Sequence, residues 1–190
     1  SYMKQTLFPI SQDAIKQTLL AYPEITQQLV TLFHTHFDPQ LESRNTHELT
    51  AAIAVSLEDV SNLNDDRILR RYLDFINGTL LTNFYQRLDG KHKAYVSFKF
   101  KPREIADSPE PRPKYEIFVY SPRVEGVHLR GGKVARGGLR WSDRNEDFRT
   151  EVLGLVKAQQ VKNAVIVPNG AKGGFIAKQA SMQNGRDSFI

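Results

Sequence analysis

KAYVSFKF, from Lys93 to Phe100, is the stretch that decides the fold class. Polar and apolar side chains alternate along it, and this period of two predicts a half-buried β-strand. YEIFVYSP, residues 115–122, repeats the pattern and predicts an antiparallel partner strand. Three prolines within five residues, between the two stretches, cannot continue a sheet and predict a loop. The alternating sets of the first stretch are Tyr95, Ser97 and Lys99 against Val96, Phe98 and Phe100.

The sequence before this stretch predicts helices. Four segments space their apolar residues at helical intervals, and Ser11 is a suitable N-cap for the first of them. Gly78 lies inside the fourth segment, where we expect it to bend the helix. The pattern changes at Asp89 and Gly90. The four predicted helices are residues 11–22, 23–37, 47–63 and 64–86.

The sequence after residue 122 predicts a mixture of strands and helices. We expect a third strand at 126–132, a helix at 146–164 and a wholly apolar buried strand at 164–168. A glycine turn should follow, and then a helix from Gly174. The predicted fold is therefore α+β, a helical N-terminal half followed by a mixed sheet layered with helices. The predicted domains are residues 1–90 and 91–190.

The composition excludes several classes of protein. Among the 190 residues there is no apolar run of 18, which argues against a membrane-spanning helix. The absence of cysteine excludes disulfides and thiolate metal sites, and it agrees with a reducing, cytoplasmic compartment. Residues 123–172 hold ten basic and five acidic side chains, so their net charge of +5 equals that of the whole chain. A small anionic substrate or a nucleic acid would suit this basic stretch.

VPNGAKGGF, Val167 to Phe175, places one lysine among glycines directly after the predicted buried strand. It is no P-loop, since Lys172 is followed by glycine and position 166 is isoleucine. The glycines also never take the dinucleotide-binding spacing G-x-G-x-x-G. What remains is a lysine at the carboxyl end of a strand, where open α/β sheets bind ligands. A shielded lysine can act as an acid or base, although a solvated turn lysine fits the same pattern.

Three neighbours of this lysine favour an anion site. Gln159 and Lys162 are three residues apart on the predicted helix and share a face. Arg136 precedes Gly137 and Gly138, and glycines let the backbone approach a ligand closely. Three cations and an amide would clamp a small acid. Scattered surface cations are the alternative.

The segment RGGLRWSDRNEDFRTEVLGLVKAQQVKNAVIVPNGAKGGF, with GVHLRGGKVA ahead of it, closely resembles the substrate-binding segment of glutamate dehydrogenases. Its form resembles the large, multi-domain NAD-specific class. The resemblance implies that Lys172 is the catalytic lysine and that Lys162 and Gln159 hold the substrate α-carboxylate. It also implies that Arg136, followed by Gly137 and Gly138, meets the side-chain carboxylate. Lys133 is a possible substitute for Arg136.

The resemblance implies oxidative deamination of L-glutamate to 2-oxoglutarate and ammonia, with hydride passing to NAD. It further implies a homo-oligomeric full-length protein. We expect NAD to be bound mainly by a domain outside this chain, and we expect the 190 residues alone to be inactive. We expect neither a nucleic acid nor a membrane as a partner.

Two other functions stay open. A dehydrogenase of another amino acid would bind an apolar side chain, which would leave Arg136 buried and unpaired. A non-catalytic basic module would use the same cations, but only Trp141 and Phe148 are aromatic between residues 126 and 174. We expect Trp141 to be a packing anchor. His34 and His36 are interpreted as helix-end residues rather than metal ligands. The remaining charged residues, interpreted as helix-start charges and surface pairs, are Asp143, Arg144, Glu146, Asp147 and Arg149.

Overall fold

A computed structural model describes residues 1–42, 45–162 and 170–178, except for the side chains of residues 161 and 162. It contains a helical part, a mixed sheet and one long helix against that sheet. The helices are α1 (Tyr2–Gln5), α2 (Gln12–Ala21), α3 (Pro23–Phe37), α4 (Thr46–Leu57), α5 (Leu63–Asn77) and α6 (Phe148–Lys162). The strands are β1 (Thr79–Thr82), β2 (Arg87–Leu88), β3 (Lys91–His92), β4 (Val96–Phe100), β5 (Tyr115–Tyr120), β6 (Val124–Arg130), β7 (Leu139–Trp141) and β8 (Ala171–Ala177).

Polar side chains determine where the first helices begin. The Ser11 hydroxyl accepts a hydrogen bond from the Ala14 N–H, as predicted, and so caps α2. Asn62 accepts hydrogen bonds from the Asn64 and Asp65 N–H groups and caps α5 in the same way. Helices α2 to α5 bury their apolar stripes against one another in a common core.

The fourth predicted helix is too long. Helix α5 ends at Asn77, Gly78 is its C-cap, and the chain turns directly into β1. An ideal Cβ on Gly78 would lie 2.6 Å from the Ile105 side chain, so the close packing of Ile105 favours glycine here. Gly78 therefore ends the helix rather than bending it. The apolar run after it pairs with β4 as a sheet strand.

The large sheet is mixed, as the sequence predicted. Its six strands lie in the order β1-β4-β5-β6-β8-β7. Strands β4, β5 and β6 form an antiparallel meander, and β8 returns antiparallel beside β6. Strand β7 pairs parallel with β8, unlike the other pairings between the described strands. Strands β2 and β3 form a separate short hairpin.

One face of the sheet carries the core. Alternate residues of the central strands, Phe118, Val127 and Leu129 among them, are buried there. They pack against α6 through Phe148, Val152, Leu153 and Val156. We call this side the helix face of the sheet and the opposite side the open face. Among the described helices, none is long and apolar enough to cross a membrane.

Candidate functional site

Lys172 lies within strand β8, so the predicted glycine turn and the helix from Gly174 are both wrong where the structure describes them. The residue pairs with Leu129 across the antiparallel β6–β8 ladder. Directly paired residues of a sheet share a face, so Lys172 lies with the buried Leu129 on the helix face. Its side chain is half-buried. This position shields part of the lysine from water, as the sequence led us to expect.

Gly138 leaves open space beside Lys172. Arg136 is bridged to Gly170, and Leu139 is paired with Gly173. The difference in residue number, the offset between the two parallel segments, is the same in both pairs. That offset places Gly138 next to Lys172. An ideal Cβ on Gly138 would meet no atom within 4 Å. The sheet is therefore bare beside the lysine, where a small ligand has room.

Gly137 has the opposite surroundings. An ideal Cβ there would lie 1.3 Å from the carbonyl oxygen of Ala171, which no side chain could accommodate. The Gly173 N–H donates to the Gly138 carbonyl over 3.0 Å, so the two backbones are in direct contact. We predicted that this glycine pair lets the backbone approach a ligand. In the structure, Gly137 lets it approach β8.

Arg136 and Gln159 meet at the start of β8. The Arg136 carbonyl accepts hydrogen bonds from the Ala171 N–H at 3.1 Å and from the Gln159 amide nitrogen at 3.3 Å. An ideal Cβ on Gly170 would lie 2.5 Å from Gln159 Oε1. This oxygen is buried and accepts no hydrogen bond from the part of the chain that the structure describes. Gln159 thus ties α6 to the Arg136 backbone and packs closely against Gly170, two residues before the lysine.

The structure does not place every predicted residue. Arg136 is exposed, and its bridge partner Gly170 lies two residues before Lys172 in the chain. Lys133 is also exposed, and its carbonyl accepts a 2.7 Å hydrogen bond from Arg130. Lys162 ends α6, but its side chain lies outside the described residues. The predicted buried strand at 164–168 also lies outside them.

Glu151 fixes the position of β7, a role that the sequence analysis did not assign. Its carboxylate bonds the Ser142 hydroxyl at 2.5 Å and the Arg140 guanidinium at 2.9 Å. Arg140 is paired with Gly174, so it lies on the helix face, the side of the sheet against which α6 packs. The strand that flanks the lysine is therefore held to α6 by a partly buried ion pair.

Arg149 is not a surface residue, and that prediction is wrong. Its side chain is 1% exposed and forms two 2.7 Å hydrogen bonds with the Glu116 carboxylate, which is 0% exposed. No local pattern predicts this pair, because the two residues lie 33 positions apart. Arg144–Asp147 and Lys4–Glu146, by contrast, are surface pairs.

Burial and charge shift the pKa values around this buried pair. Burial alone would lower the pKa of Arg149, but the negative charge of Glu116 outweighs it and raises the pKa above its usual value. Burial, and then Glu116, raises the pKa of the adjacent Tyr2 well above 10. Arg149 therefore stays protonated within its buried salt bridge to Glu116. The pair joins β5 to the first turn of α6.

The remaining sequence candidates pack against neighbours. The Trp141 ring lies 5.8 Å from that of Phe175, as expected for a packing anchor. His34 lies in the last turn of α3 and contacts the Tyr85 hydroxyl. Within the described ranges, no group of three or more His, Cys, Asp or Glu residues gathers to hold a metal ion.

A cavity of about 990 Å³ lies away from Lys172, between the N-terminal helices and the helix face of the sheet. Most of its lining is apolar and aromatic. None of the predicted site residues contributes to it. We take the β7–β8 edge as the candidate site, because Lys172, the open space at Gly138 and the Gln159–Arg136 hydrogen bond all lie along it.

Comparison with known proteins shows the family to which the chain belongs. A family model described as "Bacterial NAD-glutamate dehydrogenase, catalytic domain" matches residues 52–190. A second model, "Glutamate dehydrogenase, helical motif 3", matches residues 1–39. Proteins named NAD-specific glutamate dehydrogenase from Halomonas elongata and Pseudomonas aeruginosa are 59% and 58% identical to the chain, over 98% and 99% of its length. One from Mycobacterium tuberculosis is 48% identical over 97%. The chain spans 12% of the length of each of these relatives.

Proposed function

Because the chain belongs to the family of bacterial NAD-glutamate dehydrogenase catalytic domains, we propose that it supplies part of the active site of a larger glutamate dehydrogenase. The proposed reaction is the NAD-dependent oxidative deamination of L-glutamate to 2-oxoglutarate and ammonia. The observation that carries this proposal is Lys172, half-buried on the helix face beside the open space at Gly138.

Lys172 is proposed as the acid–base group. A lysine that is partly removed from water, beside room for a ligand, is suited to transfer protons between water and the nitrogen and oxygen atoms of the iminium and carbinolamine intermediates, while the hydrogen on the α-carbon leaves as hydride. The strand holds its backbone rigidly through pairing on both sides. Such fixed placement lets one side chain act at a defined distance from the substrate.

The two carboxylates of glutamate require two positive anchors. We assign the α-carboxylate to Lys162 with Gln159, and the side-chain carboxylate to Arg136. Two anchors fix both ends of a five-carbon diacid and so orient its α-carbon. Gln159 supports this assignment indirectly, since its amide bonds the Arg136 carbonyl and holds α6 against the site. Lys162→Ala should mainly raise KM.

NAD, when bound, supplies the hydride acceptor. The glycines of this site do not have the dinucleotide spacing, and Gly137, Gly173 and Gly174 lie against protein atoms within the sheet. They offer no pyrophosphate cradle. We therefore assign the NAD site to a part of the larger protein outside this chain, and we derive no step from it.

We also propose that the larger protein is a cytoplasmic homo-oligomer. The absence of cysteine from the chain agrees with a reducing compartment. The family resemblance supports the oligomer. Sedimentation of the full-length protein measures the oligomeric state, and a monomer at working concentration would contradict this part of the proposal.

Substrate profiling tests the proposed function. The full-length protein should form NADH with L-glutamate and should turn over leucine and phenylalanine far more slowly. Glutamate has a side-chain carboxylate that can pair with the exposed Arg136, whereas leucine and phenylalanine have none. The purified 190-residue chain should form no NADH. Comparable kcat/KM for leucine, or glutamate-dependent NADH from the chain alone, would contradict the proposal.

A further inference from the structure

On the open face of the sheet, one row of paired residues runs across the six described strands and carries large apolar side chains at Leu81, Ile117 and Leu139. Pairing between neighbouring strands defines this row. Its members, in order from β1 to β7, are Leu81, Lys99, Ile117, His128, Gly173 and Leu139. Directly paired residues share a face. A second row lies beside it and consists of Ser97, Val119, Gly126, Phe175 and Trp141.

Large apolar side chains on this face are accessible to water. Leu81 is 62% exposed and Leu139 is 71% exposed, while Ile117, Val119 and Phe175 are half-buried. An antiparallel sheet with one solvated face normally shows polar residues there. Contiguous exposed apolar surface instead marks an interaction site. The described helices that pack on the sheet do so through the helix face.

Among the described strand residues, the Lys and Arg side chains of the open face have no acidic neighbour on that face. Lys99 and Arg130 lie on it, and Lys99 Nζ is 4.8 Å from the Tyr115 ring centre, which is on the same face. Within the described strands of the large sheet, the acidic residues Glu116 and Glu125 are buried on the helix face. A complementary surface therefore carries carboxylates around an apolar centre.

Two copies of this face would bring like charges together, which disfavours self-association through it. The relatives are far longer than this chain, which spans 12% of each, so such proteins have ample chain to cover the face. Six strands at a spacing of about 4.8 Å make a row about 24 Å long. A helix of about 16 residues has that length.

We propose that the open face is the docking surface for an amphipathic helix, with an apolar stripe bordered by Asp or Glu, from another part of the same polypeptide. This inference rests on the proposed function only in that the chain belongs to a larger protein. The helix would bury the row from Leu81 to Leu139, and its carboxylates would pair with Lys99 and Arg130.

Photo-cross-linking in the full-length protein tests the docking surface. A photoreactive phenylalanine replaces Val119 or, in a second variant, Ile117, and mass spectrometry identifies the peptide joined to it. A third variant carries the same group at Val55, which is 71% exposed on α4 and serves as the control. Mixing isotopically heavy and light copies separates links within one molecule from links between molecules.

The expected product joins Val119 or Ile117 to an acidic, apolar-striped segment of the same molecule, and the Val55 variant lacks it. A heavy–light product, a link to another protein, a link to a segment without acidic residues, or a yield no higher than at Val55 would overturn the proposal.

A charge-reversal variant tests whether the positive charge of Lys99 contributes to helix docking. Lys99→Glu should remove most of the Val119 product, whereas Lys91→Glu, on the exposed β3, should leave it unchanged. Equal yields in both variants would contradict the charge pairing. Glutamate turnover is assayed on the same samples. An active protein without the cross-link contradicts only this inference. A cross-linked protein without activity contradicts only the proposed function.

Discussion

Gly137 and Gly138 are adjacent residues with opposite structural requirements. We predict that Gly137→Ala prevents β7 from pairing with β8, because its Cβ would lie 1.3 Å from the Ala171 carbonyl oxygen. Gly138→Ala should fold normally, since its Cβ meets nothing within 4 Å. Thermal unfolding measures both. A Gly137→Ala protein as stable as the unsubstituted one would contradict the described pairing.

Gly138→Ala also tests the site beside Lys172. Its methyl group would occupy the open space that we assign to the substrate, so we predict a raised KM for glutamate in the full-length enzyme with an unchanged melting temperature. Gly154→Ala is the matched control, because an ideal Cβ on this α6 glycine also meets nothing within 4 Å. Equal KM values for the two variants would place the substrate elsewhere.

Both partners of the Arg149–Glu116 salt bridge are fully buried. Removing one partner, as in Glu116→Gln, leaves the buried Arg149 charge without its counter-ion and should cost about 3–5 kcal/mol of unfolding free energy. Replacing both, as Glu116→Leu with Arg149→Met, should cost much less, because no buried charge remains. Urea unfolding of the single and double variants measures the coupling. Additive losses would show that the residues act independently.

At the scale of the element, α6 and β8 show what the sequence could and could not predict. The helix was predicted within two residues of its ends, because apolar residues at helical spacing identify its buried side. Strand β8 was predicted as a turn followed by a helix, because glycines usually mark turns. Here they allow close packing, since Gly174 lies under Val152 and Gly173 lies under Leu139. Local sequence does not distinguish these two uses of glycine.

The contact between Gly174 and Val152 gives an element-scale prediction. An ideal Cβ on Gly174 would lie 2.4 Å from Val152 Cγ2, so Gly174→Ala should push α6 away from β8 and destabilise the fold. Overpacking of this kind costs about 1–3 kcal/mol. Val152→Ala should relieve the clash, so the double variant should lose less than the sum of the single losses. Chemical denaturation measures this, and strict additivity would contradict the packing.

At the scale of the whole molecule, the helical and sheet parts share contacts that the sequence did not predict. Tyr2 of α1 stacks on Phe100 of β4 with ring centres 4.6 Å apart, and Gln5 accepts a hydrogen bond from the Arg149 N–H at the start of α6. Strand β1 lies before the predicted boundary at residue 90 and yet belongs to the large sheet. The boundary itself stays a prediction.

The N-terminal helices, the meander strands and α6 could be predicted from local patterns, but β1, β7, β8 and the order of the strands in the sheet could not. Hydrophobic periodicity identified four helices and the three strands of the antiparallel meander, each from a short window. The β8 position between β6 and β7 depends on pairings between residues more than 30 apart, which no local pattern encodes. The candidate lysine was found because its glycine neighbours are unusual, whereas Glu151 and Glu116 have no such signal.

We propose Lys172 as the acid–base group of a glutamate-deaminating site. Replacing this lysine is the decisive test of that role. In the full-length enzyme, Lys172→Ala should lower kcat for glutamate-dependent NADH formation by about 10²–10⁴-fold, with glutamate binding largely retained. Lys157→Ala, an exposed lysine of α6, is the matched control and should keep full turnover. A Lys172→Ala enzyme with kcat close to that of the Lys157→Ala enzyme would contradict the account.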